Sequence, residues 1–502
     1  MYLIQSKLNN RFFILIFTIF LLGLSIRLYY MQMGLPLTSD ATDNFLYATA
    51  INYYGYLPLE WSPPNNGWPI FLSFWFWVLP QDNTLAYMEL QKIISITLSS
   101  ATIFPMYLLC KKYFDEKLSI IGASLYILEP RIILNSTLGI TEPLFILLIV
   151  TSLLFFLKST SKNMIISFLL VSFSTIVRSE GLILFFVFTI MFFIKFKFSK
   201  EILKTYLPCL VLFLIILAPI SIYKTEVSGN DAILDRVTHG SIQITQNNND
   251  NIIKIFHGGE LFIKFLGWIM IPSFLLFFPL GFIFLLKDKP RKMNFVFIFL
   301  ILMIGPIFYA YYRNALDVRY FFVLYPIFCL ISLLTIQKIL RKTSRQDFML
   351  VVIILAIFVS SIIFYEYKKI DYDKEMELFE ISNNINDKIL GINNSDITKY
   401  LRYKEIPQNW PYVFNEDSYQ IIIIENTNNS ENLIDYIKNS DHKLSHLVVS
   451  DDNSEVAFLN DLFNNEEKYI FLEKTFDGKE NGFKQQLKIF KINYEIFENL
   501  NP

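Results

Sequence analysis

Cysteine is scarce in this chain. Its three residues, Cys110, Cys209 and Cys329, lie within or beside apolar segments and show no paired spacing, which excludes a disulfide framework and a cysteine-based metal site. They read as small buried hydrophobes. Excess positive charge is missing too: the formal net charge is −1, and a partner that binds through many phosphates, such as a nucleic acid, needs a basic surface. The N-terminal segment MYLIQSKLNNRFFILIFTIFLLGLSIRLYY has a basic flank and an apolar run but no A-x-A-like cleavage site. It therefore reads as an uncleaved first membrane span, not a removed signal. The sequence shows no internal repeat, and its biased stretches are confined to Asn-rich loop patches.

Apolar residues are abundant. Of 502 residues 53% are hydrophobic, including 50 Phe and 28 Tyr, and the mean hydropathy is +0.41. Soluble domains need polar positions facing water and do not carry so much apolar mass in long runs. The fold class expected is mostly α, a polytopic membrane protein. A crossing helix needs roughly 20 apolar residues. Such runs fall near 12–30, 87–110, 118–134, 142–157, 163–177, 181–194, 205–223, 261–286, 293–312, 320–337 and 347–365, about 11 transmembrane helices. The three between 142 and 194 are short, which leaves room for a re-entrant or strongly tilted element.

Charge in the connections orients these spans, because Lys and Arg of short loops collect on the cytoplasmic side. With a cytoplasmic N-terminus, the inner loops are KKYFDEK (111–117), KSTSK (158–162), KFKFSKEILK (195–204), KDKPRK (287–292) and KILRKTSRQ (338–346), every one basic. The expectation is a multi-pass protein of the cell membrane with its C-terminal part outside. Residues 1–365 would form the membrane domain, with a first outer loop over 31–86. Residues 366–502 become rich in Asn, Asp, Glu and Lys and would form a small outer α/β domain. Within it 419–426, 446–452 and 484–493 read as strands and 431–439 as a helix. Sequons at Asn135, Asn393 and Asn428 would face outward and could accept glycans.

The remaining charges share one side. Asp40, Asp43, Glu60, Glu129, Arg131, Glu142, Arg178, Glu180, Arg313, Asp317 and Arg319 all fall at or near outer ends of spans. Ionisable groups at membrane depth are costly, so they pair or line a watery cavity and by default mark function. A ring of interfacial salt bridges closing helix ends is the plain alternative for any one of them. The centre of the layer is Thr38–Tyr56, where Asp40 and Asp43 follow the first span. Carboxylates can deprotonate an acceptor hydroxyl, and guanidinium groups can hold a phosphate in bidentate fashion as it leaves. The aromatic stretch 68–79, WPIFLSFWFWVL, could lie along the interface with its rings at headgroup level, or simply pack in the core.

The order of five motifs resembles the GT-C fold glycosyltransferases, membrane enzymes that take sugars from polyprenyl- or dolichyl-phosphate donors. It looks most like the branch holding protein O-mannosyltransferases and the aminoarabinose transferase of lipid A. The motifs are Asp40 and Asp43 with Tyr47, Ala48 and Gly55; Gly67-Trp68-Pro69; Thr141-Glu142-Pro143-Leu144-Phe145; Arg178-Ser179-Glu180-Gly181; and Asp317-Val318-Arg319-Tyr320 with Pro326. They span about residues 10 to 340, and their order carries more than any single motif. The first loop departs from the best-known members, with Asp-x-x-Asp in place of an adjacent Asp-Glu pair. A WWDYG-like signature is missing from the tail, which speaks against the oligosaccharyltransferase branch.

The resemblance implies a transferase that moves a sugar from a polyprenyl- or dolichyl-phosphate donor to an acceptor hydroxyl of a glycan, lipid or protein, with inversion. Asp40 would be the general base, and Asp43 an alternative base, an orienting group or merely a solvated one. Arg319, then Arg178, would hold the donor phosphate, although Arg319 could equally be a helix-end residue paired with Asp317. Glu142 and Glu180 would bind sugar hydroxyls or pair with the arginines, and Tyr320 would contact the phosphate or anchor the interface. Asp40 and Asp43 could share a divalent cation, but two carboxylates are too few to infer one, so no metal site is assigned. Rival readings are a transporter or flippase of polar lipids, a polymerase or ligase of lipid-linked saccharides, and a structural membrane protein. Charges spread through the bilayer would favour transport, whereas here they gather at one surface.

Overall fold

The computed structural model describes residues 10–59, 63, 65–158, 160–197, 199–228, 251–288, 290–385, 412–415, 420–423, 432–438, 444, 446–450 and 457–500. Two compact units are distinguished: Met1–Met33, Thr38–Asp82 and Ala86–Tyr367 form the first, and Gly34–Leu37, Asn83–Leu85 and Lys368–Pro502 the second.

The first unit is helical. Its opening elements are α1 (Asn10–Tyr30), α2 (Asp40–Tyr54), α3 (Gly67–Val78), α4 (Thr84–Ala101), α5 (Ile103–Cys110), α6 (Glu116–Ile127), α7 (Pro130–Thr137), α8 (Glu142–Leu157), α9 (Ser161–Val177), α10 (Glu180–Phe196) and α11 (Lys200–Ser228). Among the described residues six helical stretches are long and apolar enough to cross a membrane: Phe12–Tyr30, Thr84–Cys110, Ile202–Val227, Arg291–Tyr312, Val318–Lys342 and Gln346–Asn383. A seventh is added if α6 and α7, bent by 47°, are one span. The expected count of about eleven is therefore not reached by length and composition. Helices α3, α8 and α9 are apolar but shorter. The expected span over 261–286 is two helices, Asn251–Met270 and Phe278–Asp288. Pro272 stands in the gap, and proline cannot donate the backbone hydrogen bond that would continue the first helix.

Local chemistry sets the helix ends. Asp115 caps α6 by accepting from Leu118 N at 2.9 Å, and Thr160 caps α9 by accepting from Asn163 N. Prolines 130 and 143 occupy first-turn positions, where their missing N–H costs nothing. In a low-dielectric bundle polar contacts tie helices together. Ser152 and Ser167 exchange bonds between α8 and α9, each hydroxyl reaching the other's carbonyl at 2.9–3.0 Å. Arg27, wholly buried in α1, donates to Gly23 O at 2.9 Å, Ile127 O at 2.8 Å and Ser99 Oγ at 3.3 Å. A cation inside the bundle is tolerable only because these acceptors surround it.

Asn135 sits on α7 with 4% of its surface exposed, too buried to accept the glycan that its sequon could have carried. Asn393 and Asn428, like Glu60, lie outside the described residues.

The second unit contains a five-stranded antiparallel sheet of order β2-β1-β3-β5-β4, built from β1 (Tyr412–Asn415), β2 (Gln420–Ile423), β3 (His446–Ser450), β4 (Leu472–Asp477) and β5 (Leu487–Ile492). The alternation read in 484–493 places Phe490 and Ile492 on one face beside Leu447 and Val449. That face packs on Leu433, Tyr436 and Ile437 of helix Leu433–Lys438 and on Leu459 and Leu462 of helix Ala457–Asn464.

Candidate functional site

Three helices begin at one place. Asp40 and Asp43 lie in the first turn of α2, Glu142 in that of α8 and Glu180 in that of α10. Unsatisfied N–H groups and the helix dipole make each N-terminus electropositive, which favours a carboxylate there and equally a bound anion. The 3-10 turn Val318–Leu324 adds Arg319 and Tyr320, and Asp317 caps that turn by accepting from Arg319 N at 2.9 Å. Tyr311 Oη holds the Asp317 carbonyl at 2.9 Å. Every site residue singled out in the sequence thus comes from a helix start or a connecting turn on one side of the first unit.

The charges interlock. Arg319 Nη1 donates to Asp40 Oδ2 at 2.8 Å, and Arg319 Nε donates to Asp317 Oδ2 at 2.6 Å. Glu142, 1% exposed, lies between the two arginines: Arg178 Nη1 bonds its Oε1, and Arg319 Nη1 is 3.7 Å from the same oxygen. Arg178 also grips Glu180 with two donors, Nη2 to Oε1 at 2.6 Å and Nε to Oε2 at 3.3 Å. The chain of pairs runs Asp317, Arg319, Glu142, Arg178, Glu180, with Asp40 hanging from Arg319. Burial alone would favour an uncharged Arg178, but Glu180 and Glu142 outweigh it and hold the guanidinium above its ordinary value.

Asp43 is the exception. Burial, and then the negative charge of Asp40, push its carboxyl above the usual carboxylate range.

Backbone geometry is unusual where these groups are presented. Ser39, directly before Asp40, has φ 50° and ψ −133°, a conformation that costs a non-glycine residue on the order of 1–3 kcal/mol and tends to persist at functional sites. Arg178 is aimed by a tight α9–α10 turn: a Cβ on Gly181 would lie 2.4 Å from Thr175 N, so only glycine lets the two backbones approach this closely.

Two cavities meet at the Asp40–Arg319 pair. One, mostly apolar, is lined by Leu134, Leu138, Val318 and Phe322, with Arg131, Asn135 and Asp317 as polar members of its wall. The other, mostly polar, is lined by Asp43, Asn44, Asn65, Thr141, Arg178, Glu180 and Tyr320. Asp40, Ile140 and Arg319 belong to both. Arg131 figured in the sequence only as one member of the charged layer, and Asn135 only as a sequon. An amphiphile with a charged junction between chain and headgroup matches this division.

Among the described residues no group of three or more His, Cys, Asp or Glu is arranged to hold a metal ion. Of Asp40 and Asp43, the pair the sequence offered to a cation, Asp40 is already bonded by the Arg319 guanidinium.

No protein-family model matches the chain, and no curated protein matches it. Solved structures do show likeness. The oligosaccharyltransferase of Archaeoglobus fulgidus in complex with Zn and sulfate is similar at 12% identity and a TM-score of 0.49, over 76% of this chain and 56% of that one. The same organism's AglB with an inhibitory peptide and a dolichol-phosphate gives 12% identity and a TM-score of 0.48, over 74% and 58%. ArnT from Cupriavidus metallidurans bound to undecaprenyl phosphate gives 11% and 0.45, over 77% and 67%. The chain thus spans little more than half the length of the oligosaccharyltransferases it resembles. These neighbours are GT-C fold membrane glycosyltransferases, the group that the motif order resembles.

Proposed function

We propose that this protein is a membrane glycosyltransferase that moves a sugar from a polyprenyl- or dolichyl-phosphate donor to an acceptor hydroxyl at the outer face. The observation that carries the reading is the position of the Asp40–Arg319 pair, at the junction of an apolar-walled and a polar-walled cavity. A lipid-phosphate sugar has that same division: chain, phosphate, sugar.

The prenyl end of the donor would lie against Leu134, Leu138 and Phe322, with its phosphate at Arg319. Arg178, fixed by Glu142 and Glu180, supplies a second positive charge on the polar side. In this low-dielectric setting preorganised guanidinium groups stabilise the charge that grows on the leaving phosphate. The acceptor oxygen attacks the anomeric carbon from the opposite face. Its proton passes to Asp40, the new C–O bond forms, the bond to the phosphate oxygen breaks, and prenyl phosphate leaves with the electron pair. The configuration inverts.

Donor binding would also release Asp40. Its carboxylate shares Arg319 Nη1 in the structure, and a phosphate on Arg319 replaces it there, freeing a basic oxygen beside the acceptor. Asp43, whose carboxyl is held above its usual range, stays an alternative base. The membrane topology proposed with this mechanism has a cytoplasmic N-terminus and puts the cavity and residues 366–502 outside.

The test uses the purified protein in lipid nanodiscs with polyprenyl-phosphate donors carrying radiolabelled sugars, in the presence of envelope acceptor extracts. Loss of label from the lipid is expected with at least one donor, dependent on Arg319. If none of the panel is bound or consumed, the reading falls, and transport or scaffolding takes its place.

A further inference from the structure

We infer that Gln91 is the positioning residue that fixes the spacing between Asp40 and the Glu142–arginine cluster. This rests on the function proposed above. Gln91 is wholly buried in α4, within a stretch long and apolar enough to cross a membrane, and its position between Glu89 and Lys92 gave no hint of a role at the site. Its amide nitrogen has two hydrogens and uses both on backbone carbonyls from different segments. One bond goes to Ala41 O at 3.0 Å and the other to Gly139 O at 2.7 Å.

Ala41 follows Asp40 in the first turn of α2, and Gly139 precedes Thr141 and Glu142 at the start of α8. One buried side chain therefore fastens the carboxylate proposed as base to the carboxylate that spaces Arg178 and Arg319. The Gly139 end is reinforced by Trp68 Nε1, which donates to the same carbonyl at 3.2 Å. Gly139 itself has φ +74°, a backbone that few other residues adopt. The opposite amide orientation would set an oxygen against two carbonyl oxygens, so the donor assignment follows from the acceptors.

Gln91 lines neither of the two cavities at the Asp40–Arg319 pair, so it acts there through the geometry of the groups it holds. Gln91→Leu keeps the volume and removes both bonds. The expected result in nanodiscs is donor binding unchanged within about two-fold and a kcat lower by about 10²-fold, the cost of an ångström-scale misplacement. Placed on an Asp40→Asn background, Gln91→Leu should lower turnover no further. Trp68→Phe, which leaves the Gln91 bonds intact, should cost much less. If Gln91→Leu is poorly folded, Gln91→Glu, which retains a single O–H donor when protonated, should fall between wild type and the double loss.

Hydrogen exchange gives a readout independent of any donor. The amides of residues 40–45 should exchange faster in Gln91→Leu while those of α6 stay as in wild type. Unchanged exchange at 40–45, wild-type kcat, or parallel losses in binding and kcat would each overturn the clamp. A wild-type protein that consumes no donor would remove the proposed function alone, leaving the exchange measurement to decide on Gln91.

Discussion

Replacing Asp40 by Asn separates chemistry from folding more cleanly than any other change in the cavity. The Asp40 side chain is 60% exposed and its partner Arg319 29% exposed, so losing their ion pair should cost only about 0.2–1 kcal/mol of stability. A positioned general base contributes roughly 10²- to 10⁴-fold to turnover, or about 2.7–5.5 kcal/mol of barrier. Asp40→Asn should therefore melt close to wild type and turn over donor at least about 10²-fold more slowly. The assay is label release in nanodiscs across pH, beside thermal inactivation of the same preparations. Asp43 supplies the refuting result. Burial and the Asp40 charge both raise its carboxyl, so removing that charge lowers it again. Retained turnover in Asp40→Asn, with the acidic limb moved to lower pH, would make Asp43 the base and end the assignment to Asp40.

Arg178→Ala leaves Glu142, 1% exposed, without its closest cation, and breaking such a pair from one side costs about 3–5 kcal/mol; Arg178→Lys should recover only part, since a single ammonium cannot take both Glu180 oxygens. Thermal inactivation in detergent should rank wild type, Lys, Ala. Gly181→Val places a branched side chain against the Thr175 backbone and should cost about 1–3 kcal/mol or more and disturb the turn that aims Arg178, read as lost turnover together with lost stability. In the second unit Lys468, Tyr469 and Asn465 hold the Asp461 carboxyl down at about 2. A depressed carboxyl contributes stability above its unfolded value, roughly pH 4, and loses it as pH falls toward the folded value. Exchange protection of 457–464 should thus persist at pH 5 and fade between about pH 4 and pH 2, with Asp461→Asn flattening the dependence.

The sequence by itself determined that the chain is a membrane protein with a polar C-terminal region, because runs of Leu, Ile and Phe can be satisfied only away from water. It also placed Asp40, Asp43, Glu142, Arg178, Glu180, Asp317 and Arg319 in one layer of charges near the ends of apolar helices, too costly to be scattered without cause, while Tyr320 was reached only through the motif resemblance. Pairs of Arg319 with Asp317, and of Glu142 and Glu180 with the arginines, were among the readings open in the sequence, and the structure contains them; the full arrangement was not legible. That Glu142 stands between two arginines, and that Asp40 rather than Asp43 meets Arg319, depends on how three helix starts and a 3-10 turn converge across up to 279 residues of separation. The break within 261–286 escaped the sequence for a related reason: hydropathy sums over a window, whereas the helix Asn251–Met270 stops just before Pro272, which withdraws a donor. Gln91 was hidden because an amide beside Glu89 and Lys92 reads as one more polar residue near a helix start and says nothing of its partners. Backbone carbonyls carry no sequence signal, and only the packed structure brings Ala41 and Gly139 to the two hydrogens of one side chain.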